Sequence, residues 1–431
     1  MSPITVPPHI LTSDPDSYAQ QAVSVRQPRI VEQVIEANNV DPSAREALLD
    51  LVREVRSGTV TSPLKEGRLH PDALETEERV TWEEQIAANE GRPWLDIPWY
   101  FAEALFYLKL LAASGYYGAD GALGGKKGDD ERALRDPFLP QKKRELVGHD
   151  GALAMAARIM ASVQIMGPEE VLSFLLQSSL WGNRLDLSTF EMDETRRRKA
   201  LDRRKGSLLV DHTEQSIFAL LHSERAQVIL DNSGLELICD LLLTDQLLSR
   251  VALGGMGPAS ITLHAKKAPF FVSDATALDT LSTIDALAVD ADAAVAAAGF
   301  RLQNHLRSGR LVVRDHWFWN SALFFTALPP DLRTELGSGS TIVVKGDANY
   351  RRLLEDRKWG IELSLDDLAA YFPAPFVAVR TMKSELVIDV PKEQAQKLFR
   401  SDPRWMTNGK RGLIRYCKAG SCSPRGLPRY G

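Results

Sequence analysis

Cysteine is scarce in this 431-residue chain: Cys239, Cys417 and Cys422 are the three, and none forms a CxxC pair. That scarcity argues against a disulfide framework and fits a reducing compartment. Cys239 lies in an apolar helical run and reads as a small core hydrophobe. No apolar run approaches the roughly 20 residues a membrane helix needs. The opening stretch MSPITVPPHILTS lacks the basic segment and apolar run of a secretory signal. A cytoplasmic protein with no membrane partner is the expectation. Positive charge is not in excess either, since 52 basic residues face 57 acidic ones for a formal charge of −5. A nucleic-acid partner is therefore not expected. The one dense basic stretch, Arg196-Arg197-Arg198-Lys199 with Arg203, Arg204 and Lys205, has no interleaved aromatics and reads as a solvated helix face. A phosphate-binding P-loop is missing too. Gly124-Gly125-Lys126-Lys127 has Asp120 where the first glycine should stand, and no Ser or Thr after the lysine.

What is present is an ordinary globular mixture, 44% hydrophobic and 25% charged, long enough for two domains or one large one. The first half reads as helical. A helix from Ser43 ends at Gly58, and others are predicted over Trp99–Ala113, Asp150–Met166 and Pro168–Leu180. Residues 114–127 read as a glycine-rich loop. After about Asp211 short β-type runs alternate with helices. Gln227–Leu230, Ile261–His264, Phe270–Val272, Leu311–Val313, Thr341–Val344 and Phe376–Arg380 are predicted strands. Helices are predicted over Gly234–Leu248, Ala277–Leu287, Ala291–Leu306, Asn349–Asp356 and Lys392–Phe399. The expected architecture is a mainly α-helical domain over 1–210, then an α/β domain over 211–431. The second is expected to be a mostly parallel, three-layer α/β/α Rossmann-like sheet.

In such sheets ligands bind beyond the C-terminal strand ends. Three predicted strands end there in acidic residues: Asp231-Asn232 with Glu236, Asp274, and Asp347-Ala348-Asn349-Tyr350. A fourth ends in Arg380-Thr381-Met382-Lys383. Carboxylate and carboxamide oxygens suit a hard divalent cation such as Mg²⁺ or Mn²⁺. Such an ion polarises a phosphoryl group while Arg380 or Lys383 neutralises phosphate oxygens. Gly234, opening a helix after the first strand, adds an anion-friendly helix start. Each feature alone has an ordinary reading, because a strand-terminal Asp is more often a helix cap than a ligand. Their shared predicted edge is what points to a site.

These segments also resemble a known family. Asp231-Asn-Ser-Gly-Leu-Glu236, Phe271-Val-Ser-Asp274, Lys345-Gly-Asp-Ala-Asn-Tyr350 and Arg380-Thr-Met-Lys383 are similar to the four signature segments of the damage-control phosphatases, long catalogued as a domain of unknown function. The Arg-Thr-x-Lys (RTxK) form resembles the subgroup that includes acidic residue methyltransferase 1. Pro98-Trp-Tyr-Phe-Ala-Glu103 and the segment from Ser179 to Ser188 are similar to the same subgroup, so the likeness runs from about Trp82 to Phe399. It implies a phosphatase of small phosphorylated metabolites, sugar phosphates such as fructose 1-phosphate included. It implies Asp231, Asn232 and Asp274 as ligands of Mn²⁺, Co²⁺ or Ni²⁺, with Mg²⁺ a poorer substitute, and Glu236 as a ligand contact beside the metal. It also implies Asp347, Ala348, Asn349, Tyr350 and Arg351 as a substrate-binding segment, and Lys383 as a phosphate contact.

His264 and Lys266 precede Asp274; a core-edge histidine is the ordinary reading of the first. Trp317, Phe318 and Trp319 read as packing, with Trp319-Asn320 a possible pocket wall. Asn183 and Asp186 stand between the two halves, as site or as bridge. The runner-up function is an S-adenosylmethionine-dependent carboxyl methyltransferase. Its expected Gly-rich turn is poorly matched by Gly254-Gly255-Met256-Gly257, with Ser260 where a further glycine would stand. Whether water or a carboxylate such as Asp231 attacks phosphorus is left open by the residues.

Overall fold

Neighbouring residues in the apolar runs of the second half are buried in two different cores, which is what a strand covered on both faces requires. Ile229, Ile342, Val344, Phe376 and Ala378 belong to one apolar cluster, while Val228, Val343, Val377 and Val379 belong to the other. The computed structural model describes residues 5–67, 69–70, 72–118, 136–148, 151–182 and 207–418. The basic stretch Arg196–Lys205, Cys422, Asp150, Asn183, Asp186 and the Gly124–Lys127 run lie outside the described residues.

The strands are β1 Leu208–Asp211, β2 Arg225–Ile229, β3 Ser260–Ala265, β4 Leu311–Asp315, β5 Ser340–Lys345, β6 Phe376–Thr381 and β7 Gly412–Cys417. They form one seven-stranded sheet in the order β1-β7-β6-β5-β2-β3-β4. Strands β2 to β6 are parallel to their neighbours, β7 is antiparallel to β6, and β1 is parallel to β7. The expected mostly parallel α/β/α sheet is what the chain forms.

Two helical layers cover it. One includes Pro42–Ser57 and Trp99–Ala113. The other is built from Ala152–Val163, Pro168–Trp181, Thr213–Leu221, Leu235–Ala252, Ala277–Ala288 and Ala293–Arg307. Asp41 caps the Pro42 helix through the amides of Ser43 and Ala44, and Gly58 ends it. Every residue of Trp99–Ala113 is buried. Apart from Glu103 and Lys109 it is apolar on every face rather than amphipathic, the pattern of an internal helix. Residues on both sides of position 210 contribute to each cluster. The division at 210 separates stretches of sequence, while the two cores are shared. Each fully buried Leu, Ile or Val contributes roughly 1.5–3 kcal/mol.

One predicted strand is absent. Phe270–Val272 forms a turn in which Phe271 (φ 51°) and Val272 (φ 70°) both take left-handed backbone. The physical reason is lateral packing: the rings of Phe270 and Phe271 lie 5.9 and 5.2 Å from that of Tyr107, on the internal helix. Their apolar character serves the contact between layers, not a sheet. The strand leading towards Asp274 is β3, ending at Ala265.

Candidate active site

The C-terminal ends of β2, β3, β5 and β6 lie side by side, because β6-β5-β2-β3 are consecutive in the sheet. Asp231 and Asn232 follow β2 directly. Asp274 arrives by the left-handed turn and is stitched back: Asn232 and Asp274 form a backbone bridge, the Ser233 amide donates to the Ser273 carbonyl (2.7 Å), and that of Ala275 to the Asp231 carbonyl (2.8 Å). A β-branched residue at positive φ is costly, of order 1–3 kcal/mol. That cost is borne where the chain must present Asp274 to Asp231.

The side chains make one network. Asn232 Nδ2 donates to Asp231 Oδ2 (2.7 Å) and to Glu236 Oε2 (2.9 Å), while Ser273 Oγ donates to Asn232 Oδ1 (2.6 Å). Lys266 Nζ stands 3.3 Å from Asp274 Oδ2. Lys345 Nζ pairs with Glu236 (2.8 Å) and Asp240 (3.5 Å) and donates to the Ser179 carbonyl (3.1 Å). Gly346, just after β5, has φ 83°, and a Cβ there would collide with the Asp231 carboxylate. Only glycine lets β5 pass this close.

Asp231 and Asp274 are buried, at 6% and 1% exposure. Burial, then repulsion from Glu236 and Asp274, pushes Asp231 up to about 8, against the opposing charges of Lys383 and Lys266. Burial also raises Asp274, although Lys266 opposes it, and burial lowers Lys266 itself. The oxygens are thus short of positive charge. Asp274 Oδ2 accepts no hydrogen bond. Among the described residues no three His, Cys, Asp or Glu side chains gather as a metal cage. The set here is instead two carboxylates and a carboxamide. Two crowded, under-compensated carboxylates beside a glycine cradle fit a hard divalent cation, with Asn232 Oδ1, which accepts from Ser273, as a neutral third oxygen.

The remaining predicted residues fall into two groups. Lys383 is exposed beside the site, and its charge helps to hold down both Asp231 and Asp347. Arg380, by contrast, is 1% exposed and engaged: it pairs with Asp347 (2.7 Å), donates to Ser384 Oγ (2.9 Å), and lies 4.3 Å from the centre of the Tyr350 ring. It positions Asp347 and is not a free phosphate clamp. Burial would raise Asp347, but Arg380, then Arg351 and Lys383, outweigh it and hold the carboxyl below the usual range. Asn349 ties β2 to β5 by donating to the carbonyls of Leu230 (3.2 Å) and Lys345 (2.8 Å). Arg351 pairs with Asp356 (2.6 Å) and stacks 3.7 Å above Trp99. Ala348 is half-buried. Within this segment Asn349 Oδ1, the Tyr350 hydroxyl and Arg351 Nη1 and Nη2 are buried with no hydrogen-bond partner among the described residues.

His264 is a core residue: it bonds Gln227 Oε1 (2.7 Å), packs edge-on to Trp319, and burial pushes it down to about 3. Trp317, Phe318 and Trp319 are packing, and Asn320 caps the backbone of Lys267 and Ala268. Sequence reasoning assigned no role to Ser273, Lys345 or Gly346. The signal was available, since all three lie inside the quoted segments next to the acids. Two clefts flank the site. One of about 290 Å³ reaches Leu235 and one of about 750 Å³ reaches Ser273. Gly254–Gly257 lies between the helix Leu235–Ala252 and β3, at the opposite end of the strand from a nucleotide-binding turn.

The chain is similar to known proteins over most of its length. A family model described as the damage-control phosphatase ARMT1-like domain matches residues 22–398. Damage-control phosphatase ARMT1 of Mus musculus is 30% identical over 360 residues, covering 76% of this chain and 76% of the mouse protein. Its Homo sapiens counterpart is 33% identical over 260 residues, or 56% of this chain and 58% of the human protein. A crystal structure of a DUF89 family protein from Pyrococcus horikoshii aligns over 92% of this chain and 97% of its own, at 14% identity and a TM-score of 0.45. No helix among the described residues is long and apolar enough to cross a membrane.

Proposed function

The chain belongs to the ARMT1-like damage-control phosphatase family, and from that premise we propose that it is a divalent-metal-dependent phosphatase of small phosphorylated metabolites, sugar phosphates such as fructose 1-phosphate among them. The observation that carries the reading is the juxtaposition of Asp231, Asn232 and Asp274, with too little positive charge for their oxygens. These three residues would hold the cation. When bound, Mn²⁺ or Ni²⁺ (with Co²⁺ and Mg²⁺ as substitutes) supplies Lewis-acid polarisation of the phosphoryl group.

The protein's own residues do the rest. Lys383 is the exposed cation placed to neutralise phosphate oxygens. Glu236, held by Lys345, fixes the Asn232 carboxamide, and Ser273 fixes it from the other side. Asp347, locked by Arg380 and Ser384, stands at the mouth of β5 to orient a sugar hydroxyl. Gly346 keeps room for the Asp231 carboxylate. The methyltransferase alternative is disfavoured by Gly254–Gly257, which follows a helix and faces away from the strand ends where a nucleoside would sit.

The test is phosphate release from a panel of phosphometabolites with Mg²⁺, Mn²⁺, Co²⁺ or Ni²⁺, against methyl transfer from S-adenosylmethionine in chelator. Metal-dependent phosphate release is expected. Methyl transfer in chelator without phosphate release would reverse the assignment.

A further inference from the structure

The larger cleft, about 750 Å³, lies between the helices Gln27–Ala37 and Leu139–Val147 and has the left-handed turn Phe271–Ser273 as part of its wall. It is the size of a small-metabolite site. Its charge is one-sided: Arg26, Arg29 and Arg144 line it against the single carboxylate of Glu36. Arg26 is anchored, donating to the Tyr18 hydroxyl (2.8 Å) and standing 3.5 Å from buried Glu103. Arg29 and Arg144 are exposed and have no ion-pair partner among the described residues. Gln141, which also lines the cleft, donates to Glu145 Oε1 (2.9 Å).

The cleft and the site share one residue. Ser273 lines the cleft and at the same time donates its hydroxyl to Asn232 Oδ1 (2.6 Å). That shared residue sets the cleft beside the Asp231–Asn232 network. Guanidinium pairs with no carboxylate of their own are the usual partners of phosphate or carboxylate groups.

Resting on the phosphatase reading, the geometry points to a second-anion subsite made by Arg29 and Arg144, with Arg26 behind them. The preferred substrates are phosphomonoesters that carry a second phosphoryl or carboxyl group at the far end, rather than sugar monophosphates. None of the four signature segments supplies these arginines.

The test compares kcat/KM for fructose 1,6-bisphosphate and fructose 1-phosphate, in the full-length protein and in R29Q/R144Q. The wild type is expected to favour the bisphosphate by about tenfold or more, the effect of one or two charge-assisted hydrogen bonds. The double variant is expected to lose that preference, and R144K alone to keep most of it. An unchanged ratio in R29Q/R144Q, or a wild type that favours the monophosphate, overturns the subsite. If neither ester is hydrolysed with any metal, the phosphatase reading fails by itself. Calorimetric binding of inorganic pyrophosphate to metal-free protein then decides the subsite. Affinity about tenfold weaker in R29Q/R144Q supports it, and equal affinity or no wild-type binding overturns it.

Discussion

Two groups of buried charges lie near the short helix Gly346–Leu353, and they differ in how many cations meet their carboxylates. In one, Arg351 meets Asp356 and Trp99, while Arg352 meets the Tyr100 hydroxyl and the carbonyls of Phe318 (2.7 Å), Trp319 (3.0 Å) and Ser321 (2.6 Å). In the other, Asp231 and Asp274 are equally buried, yet Lys266 is the one cation in contact with either of them among the described residues. Arg352, met on every side, organises a core. The Arg351–Asp356 pair is only partly satisfied, since Arg351 Nη1 and Nη2 and Asp356 Oδ2 make no hydrogen bond. Two buried carboxylates facing one cation mark a place where something else binds. Both groups come from similar-looking runs of polar residues after strands. Only the three-dimensional accounting separates them.

The most drastic way to break this contrast is Asp231→Asn. Removing a carboxylate from the crowded side should lower phosphate release by about 10³-fold. It should leave the thermal midpoint unchanged or higher, because a repulsion is relieved. A drop in stability matching that of an arginine variant would put Asp231 with the scaffold.

Arg351→Met is the opposite experiment. It leaves Asp356 buried without its partner and should cost about 3–5 kcal/mol in urea unfolding. A loss of activity without a loss of stability would return Arg351 to the substrate segment.

A third test asks whether the site is short of a cation. Mn²⁺ at about a hundred times its Kd should stabilise the wild type by roughly 2.7 kcal/mol, and Asp231→Asn should show no such shift. Equal stabilisation of both proteins would mean that the ion binds elsewhere.

The smallest expected effect is that of Gly346→Ala. Forced positive φ and the clash with Asp231 should cost about 1–3 kcal/mol and weaken Mn²⁺ binding along with stability. Full Mn²⁺ affinity in that variant would show that the Gly346 cradle is not needed.

Much of this was legible in the chain. The apolar runs at 227–230, 261–264, 311–313, 341–344 and 376–380 each mark a real strand, because a strand buried on both faces must be apolar throughout. The acids after β2 and β5 could be read as a site for the same reason that topology places them there. Strands β1 and β7 were not legible. They form one end of the sheet, β1 is half-buried to exposed along its length, and Arg415 and Tyr416 interrupt the apolar run of β7. Phe270–Val272 misled because packing between layers uses the same residue types as a strand. Arg380 misled because a cation near a phosphate motif looks alike whether its guanidinium is free or already taken. The arginine-lined cleft draws residues from positions 26–37, 137–144 and 271–273, a combination that no single stretch of sequence displays.

The most direct measurement is an anomalous-scattering map of crystals soaked in Mn²⁺. The account predicts one strong peak within about 2.0–2.6 Å of oxygens from Asp231, Asn232 and Asp274. Saturating Mn²⁺ with no peak there, while phosphate release persists, would contradict it.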